Sequence, residues 1–237
     1  MKIAIIADVH SNIYALEAVV NDIKEKNLDL AVCVGDLVGY ATFPNEVINL
    51  IRNENILTVM GNYDDAVGNI RFICGCDYPD PKDAENATKS LMWSIENTSE
   101  ENKAFLANLP KEMTLTFEGK TITFVHGSPR MLNEYLKEDS REAKEVMEEF
   151  TGDILVCGHT HKPYYKMYED KMLVNSGSVG KSKTGSPDAN YVIIDIKEDD
   201  VKIDIVEVAY DFEKTAKAIE ESVLPNEFAE IIRTGRA

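Results

Sequence analysis

The chemistry-bearing side chains of this 237-residue chain gather at the ends of short apolar runs. Residues 3–7 lead into Asp8-Val9-His10, residues 30–34 into Gly35-Asp36 and residues 56–60 into Gly61-Asn62. Residues 121–125 lead into His126-Gly127, and residues 154–157 into Gly158-His159-Thr160-His161. Imidazole, carboxylate and carboxamide groups together suit Zn, Mn, Fe or Ni, with no cysteine required. The two-residue spacing of Asp8 and His10, and of His159 and His161, puts both members of each pair on one side of an extended segment. One histidine after a strand is ordinarily a hydrogen-bonded structural residue, and one aspartate beside glycine is ordinarily a turn residue. Here all 4 histidines of the chain occupy such ends and none is left over. Asp8, His10, Asp36, Asn62, His126, His159 and His161 are therefore the candidate metal ligands.

The apolar runs have the length and β-rich composition of buried strands, and helical patterns separate the first three. Residues 12–26 place Ile13, Leu16, Val19, Val20 and Ile23 on one helical face, with Ser11 or Asn12 as N-cap. Residues 44–54 form a second helix with Pro44 in its first turn. A β-α-β-α-β start predicts a parallel sheet with right-handed crossovers. Strand carboxyl ends are where α/β sheets bind ligands, which is where the seven residues lie. Residues 85–96 and 99–109 read as two helices, and 69–110 as a helical cap beside the site. Residues 113–117 and 121–125 read as a hairpin across Glu118-Gly119-Lys120. Residues 138–150 are helical, and strands follow at 154–157, 164–168, 172–175, 191–196 and 201–208. Residues 212–237 form a helical tail. No Gly/Ser or Pro-rich linker divides the chain, so residues 1–237 are expected as a single domain of two packed sheets flanked by helices.

Lys plus Arg number 25 and Asp plus Glu 42, giving a net charge of −17. That sign opposes non-specific binding of long DNA or RNA, which requires a cationic surface. No apolar stretch approaches the length of a membrane span, and the N-terminal run is too short for a signal peptide. The expectation is a soluble, cytoplasmic protein. Cys33 and Cys157 sit in apolar runs as core residues, while Cys74 and Cys76 flank Gly75 in a loop and are expected as free thiols.

The ordered set Asp8-x-His10, Gly35-Asp36-x-x-Gly39, Gly61-Asn62-x-Asp64, His126-Gly127 and Gly158-His159-x-His161 resembles the calcineurin-like metallophosphoesterases over roughly residues 1 to 195. Residues 35–40, 126–130 and 175–180 are similar to a prokaryotic branch described as YfcE-like or diadenosine tetraphosphatase-like. The resemblance implies a four-layer αββα sandwich with two mixed sheets. It implies two divalent transition-metal ions, one held by Asp8, His10, Asp36 and His161, the other by Asp36, Asn62, His126 and His159, with Asp36 bridging. It further implies catalysis by a hydroxide held between the metals, with Asp36, Asn62, His126 and Asp64 as catalytic residues. Two positions depart from relatives. Protein Ser/Thr phosphatases carry an Arg soon after the Gly-Asp motif, where this chain has Leu37-Val38-Gly39-Tyr40; many relatives carry a His where this chain has Tyr63.

The expected function is hydrolysis of phosphodiester or phosphoanhydride bonds in a small phosphate-containing molecule or short nucleotide. Asn12, Tyr63, Arg130, Lys162 and Lys181 are the candidate substrate contacts. The alternatives are a phosphomonoesterase and a non-catalytic metal-binding scaffold. The substrate, the native metal and the oligomeric state stay open at this level.

Overall fold

The computed structural model describes residues 1–77, 80–197 and 200–236. Among these, ten strands form two mixed five-stranded sheets. The first has the order β10-β9-β1-β2-β3, with β1 (Lys2–Ile6), β2 (Leu30–Cys33), β3 (Leu57–Thr58), β9 (Ala189–Lys197) and β10 (Asp200–Val208). β1, β2 and β3 run parallel, while β9 and β10 are antiparallel additions. The second has the order β4-β5-β6-β8-β7, with β4 (Glu112–Phe117), β5 (Lys120–Val125), β6 (Ile154–Cys157), β7 (Tyr164–Tyr168) and β8 (Lys171–Asn175). Its centre, β5, β6 and β8, is parallel and its two edges are antiparallel.

Strand alternation divides the core into layers. Ile3, Ile5 and Ala7 turn inward with Val32 and Val34, and meet Ile122, Phe124, Ile154 and Val156 of the opposing sheet. Each such fully buried aliphatic side chain contributes roughly 1.5–3 kcal/mol of apolar transfer free energy. Ala4 and Ile6 turn outward onto helices, where Leu16 and Val19 of α1 (Ile13–Glu25) and Val47 and Ile51 of α2 (Pro44–Asn53) cover them. The same layer takes in α3 (Asn62–Gly68), α4 (Pro81–Asn97) and α5 (Glu100–Ala107), and the tail helices α7 (Phe212–Glu220) and α8 (Asn226–Thr234). On the far side, Leu155, Cys157 and Leu173 pack against Val146 and Met147 of α6 (Arg141–Glu149). The layers are helix, sheet, sheet, helix, as expected.

Several boundaries differ from the sequence reading. β3 is a two-residue edge strand rather than residues 56–60, because Ile56 N–H turns back to the Ile51 carbonyl and Met60 N–H goes to Pro110. α3 was not anticipated. It is short, and Asp64 in its first turn accepts the Gly61 N–H. α4 begins at Pro81, capped by Asp80, not at residue 85. No helix among the described residues is long and apolar enough to cross a membrane.

Candidate metal centre

Parallel register aligns the carboxyl ends of β1, β2 and β3 on one sheet and of β5 and β6 on the other. Hydrogen bonds then stitch the two rows of ends together. His126 Nδ1 bonds the Val34 carbonyl at 2.8 Å, and His159 N–H donates to Asp8 Oδ2 at 2.9 Å. Glycine permits the close approach: a Cβ on Gly158 would lie 2.8 Å from Ala7 Cβ, and one on Gly61 would overlap the Asp36 carboxylate. Asp8, His10, Asp36, His159 and His161 all hold φ between 47° and 64°. Left-handed backbone at non-glycine residues costs of order 1–3 kcal/mol each and persists where surrounding bonds fix it, commonly at functional sites.

All seven candidate ligands come together and are buried. Asp8, His10 and His161 make one set of converging ligand atoms; Asp36, His126 and His159 make a second. His10 Nε2 lies 3.2 Å from His161 Nε2, and His161 Nε2 lies 3.5 Å from Asp8 Oδ1. In the second set, His126 Nε2 lies 3.2 Å from His159 Nδ1 and 3.0 Å from Asn62 Oδ1. Asp36 Oδ2 stands between the sets, 3.4 Å from His126 Nε2 and 3.9 Å from His10 Nε2. Its other oxygen accepts the Tyr63 N–H at 2.8 Å, so one carboxylate oxygen faces both sets.

Each imidazole has a backbone carbonyl on its outer nitrogen: Val38 for His10, Val34 for His126, Lys181 for His161 and Asn133 for His159. These carbonyls accept the ring N–H, which fixes the tautomer and turns the bare nitrogen inward. Burial reinforces this, holding His10 near a pKa of about 4, His159 near about 3 and His161 well below its ordinary value. Burial also opposes charge on His126, but Asp36 and Asp8 outweigh it and raise that imidazole to about 9. Burial lifts Asp8 to about 7 despite the counteracting His126, and the nearby Asp36 charge adds to the rise.

The arrangement fits cations. Lone pairs of His10 and His161 face each other at 3.2 Å with no proton to share. Asp8 Oδ1 is buried with no hydrogen-bond partner. Buried acceptors of this kind are costly alone and favourable around a metal. His10, His159 and His161 are held in the neutral form that coordination requires, and a cation would displace the proton that Asp36 and Asp8 favour on His126.

A family model described as calcineurin-like phosphoesterase superfamily domain matches residues 1–199. The chain belongs to the calcineurin-like phosphoesterase superfamily. It is 36% identical to an uncharacterized protein of Methanocaldococcus jannaschii over 252 aligned residues, covering 99% of this chain and 98% of that one. A crystal structure of a metallophosphoesterase from Sphaerobacter thermophilus is similar at 28% identity and a TM-score of 0.80, with 99% of each chain covered. YfcE, a phosphoesterase from E. coli, shares the fold at 20% identity and a TM-score of 0.51, over 88% of this chain and all of that one.

Within this phosphoesterase the other expected site residues fall in different places. Lys181 lines the cavity over the candidate metal ligands, and Tyr63 lies in its wall, edge-on to His10 with centroids 5.6 Å apart. Lys162 lines the neighbouring cavity. Asn12 does not face the substrate side: it caps α1 by accepting from Ala15 N–H and the Thr215 hydroxyl, and it donates to Gly180 and Tyr210. With every hydrogen-bonding position filled, it is a structural residue. Arg130 is held by Glu134 and Glu145 beside a different groove, with Thr114 and Thr123. Asp64 is fully buried and accepts the N–H groups of Asp36, Leu37 and Gly61, so it positions the ligand loops instead of reaching substrate.

Sequence reasoning missed Tyr40, Lys183 and Tyr135 in the cavity wall, and Asp83, Asn86 and Phe228 from α4 and α8. Tyr135 stacks on His159 at 4.1 Å, and Tyr40 stands edge-on to His10 at 4.8 Å. The Lys181-Ser182-Lys183 spacing was a readable signal; the others depend on packing between distant elements. Cys74 and Cys76 are not joined in a disulfide, and their backbone and sulfur orient a candidate ligand, since Asn62 Nδ2 donates to the Cys74 carbonyl and to Cys76 Sγ, both at 3.1 Å.

Proposed function

We propose that this phosphoesterase is a two-metal hydrolase of phosphodiester or phosphoanhydride bonds in small phosphate-containing molecules. Asp8, His10, Asp36 and His161 would hold one divalent cation, and Asp36, Asn62, His126 and His159 the other. The observation that carries the reading is the position of Asp36 Oδ2, facing an imidazole of each set. Cations there supply charge neutralisation at the phosphoryl oxygens and a water acidified to near neutral pH, and Mn, Fe, Ni and Zn all match the donor set.

The protein's own part is to orient and exclude. The carbonyls of Val34, Val38, Asn133 and Lys181 lock the four rings. Tyr40, Tyr63 and Phe228 build an apolar side to the cavity, and Lys181 presents its amino group there, which an anionic substrate would favour in the charged form. Leu37 and Val38 are buried where phosphoprotein phosphatases resembling this fold carry a phosphate-gripping Arg. A dianionic monoester gains more from a bidentate guanidinium than a monoanionic diester does. Bis(p-nitrophenyl) phosphate is therefore expected to be cleaved with a higher kcat/KM than p-nitrophenyl phosphate. A preference for the monoester by about tenfold or more would instead favour a phosphomonoesterase.

A further inference from the structure

The cavity over the metal ligands, of about 260 Å³, opens beside a second one of about 500 Å³. Asp77, Tyr135 and Lys183 line both, and the second adds Lys137 and Lys162. Lys181 is only 6% exposed; its Nζ stands 4.3 Å from the centroid of the Tyr40 ring. Among the described residues no ion pair joins Lys181 or Lys183 to a carboxylate, although Lys181 is buried. In a chain of net charge −17, charging buried Lys181 and its half-buried neighbour Lys183 without a counter-ion carries a cost that a bound anion offsets.

Their placement is fixed by the metal centre. The Lys181 carbonyl holds His161 Nδ1 at 2.6 Å, Lys181 N–H donates to Ser178 at 2.8 Å, and Lys183 N–H donates to the His161 carbonyl at 3.4 Å. The first cavity also carries Asp83 of α4 and Glu227 of α8, and Asp77 and Glu138 line the second beside the lysines. Among these charges an anionic extension of a substrate is repelled by Asp83 and Glu227 and attracted by Lys181 and Lys183. Lys183, at the junction of the cavities, leads away from the metal ligands toward Lys137 and Lys162.

We propose that Lys181 and Lys183 form a subsite for a second anionic group of the substrate, adjacent to the metal centre. Given the two-metal reading above, on which this rests, the preferred substrate carries two anionic groups a few bonds apart, as in a nucleoside diphosphate or a bisphosphate. The probes are inorganic orthophosphate and methylenediphosphonate, titrated calorimetrically into metal-loaded protein dialysed free of excess metal. The wild type binds the diphosphonate at least about tenfold more tightly than orthophosphate, as expected when a second charge-assisted contact is made. Lys183→Met and Lys181→Met each bring that ratio to within about threefold of one, while Lys217→Met, on the outer surface of α7, keeps the wild-type ratio. A wild-type ratio under about threefold overturns the subsite, as does retention of the wild-type ratio by both lysine variants, including the case where both affinities fall together. If the ratios behave as stated but no phosphoester is turned over, the subsite stands and the hydrolase reading fails.

Discussion

Asp36 is the side chain whose loss reaches both cation positions, because its Oδ2 faces His126 and His10 while its Oδ1 is tied to the Tyr63 N–H. Asp36→Asn is expected to reduce metal content at both positions and to lower kcat/KM more than any other single ligand change. His126→Ala leaves Asp8, His10 and His161 in place and should retain about one cation per chain. Elemental analysis of the two variants separates these outcomes; near wild-type metal content in Asp36→Asn would refute the bridging position. Tyr63 sets a different expectation. Its ring is fully buried between Tyr40 and His10 and fills the space beside Gly39, so its contribution is packing. Tyr63→Phe keeps the ring and should change turnover less than about threefold on aryl leaving groups, whereas a loss above about a thousandfold confined to poor leaving groups would make Tyr63 the general acid. Tyr63→Ala should destabilise by about 3–5 kcal/mol through the cavity it leaves.

Asp64 shows how an element is secured to the site. It binds the first turn of α3 to the loop after β2 through three backbone N–H groups, all buried. Asp64→Asn replaces an acceptor with an amide that must turn a donor toward some of them. The expected cost is about 1–3 kcal/mol in the metal-free protein, because a buried donor is left without its acceptor. Urea unfolding of metal-free wild type and variant measures it, and a difference below about 0.5 kcal/mol would mean that Asp64 does not hold these loops. This element also marks where the sequence was readable. The strands and the convergence of the seven candidate ligands were legible because each parallel strand ends in a chemically conspicuous residue, and alternation exposes the buried face. α3 was not legible: Gly61-Asn62-Tyr63-Asp64 has the composition of a turn, and the helix depends on Asp64 reaching its own N-terminal N–H. Asn12, Arg130 and Asp64 were misplaced for a related reason. Polarity near a motif does not say whether the hydrogen-bonding capacity is already taken by Thr215, by Glu134 or by a backbone amide.

At the scale of the molecule, two sheets deliver their strand ends to one edge, and helices from the middle and the tail of the chain complete the cavity with Asp83, Asn86 and Phe228. The chain is strongly acidic overall, yet Lys181, the one lysine buried among the described residues, lines that cavity beside Lys183. Both features suit a compact phosphate ester held by metal and lysine, not a long polyanion held by surface charge. The account depends above all on the convergence of seven buried donor groups into two cation positions. The most direct test is the metal stoichiometry of the purified protein, loaded under mild conditions with Mn²⁺, Fe²⁺, Ni²⁺ or Zn²⁺ and measured by elemental analysis. About two ions per chain is the predicted result, whereas fewer than about 0.5 with every metal, accompanied by no hydrolysis of any phosphoester, would contradict it.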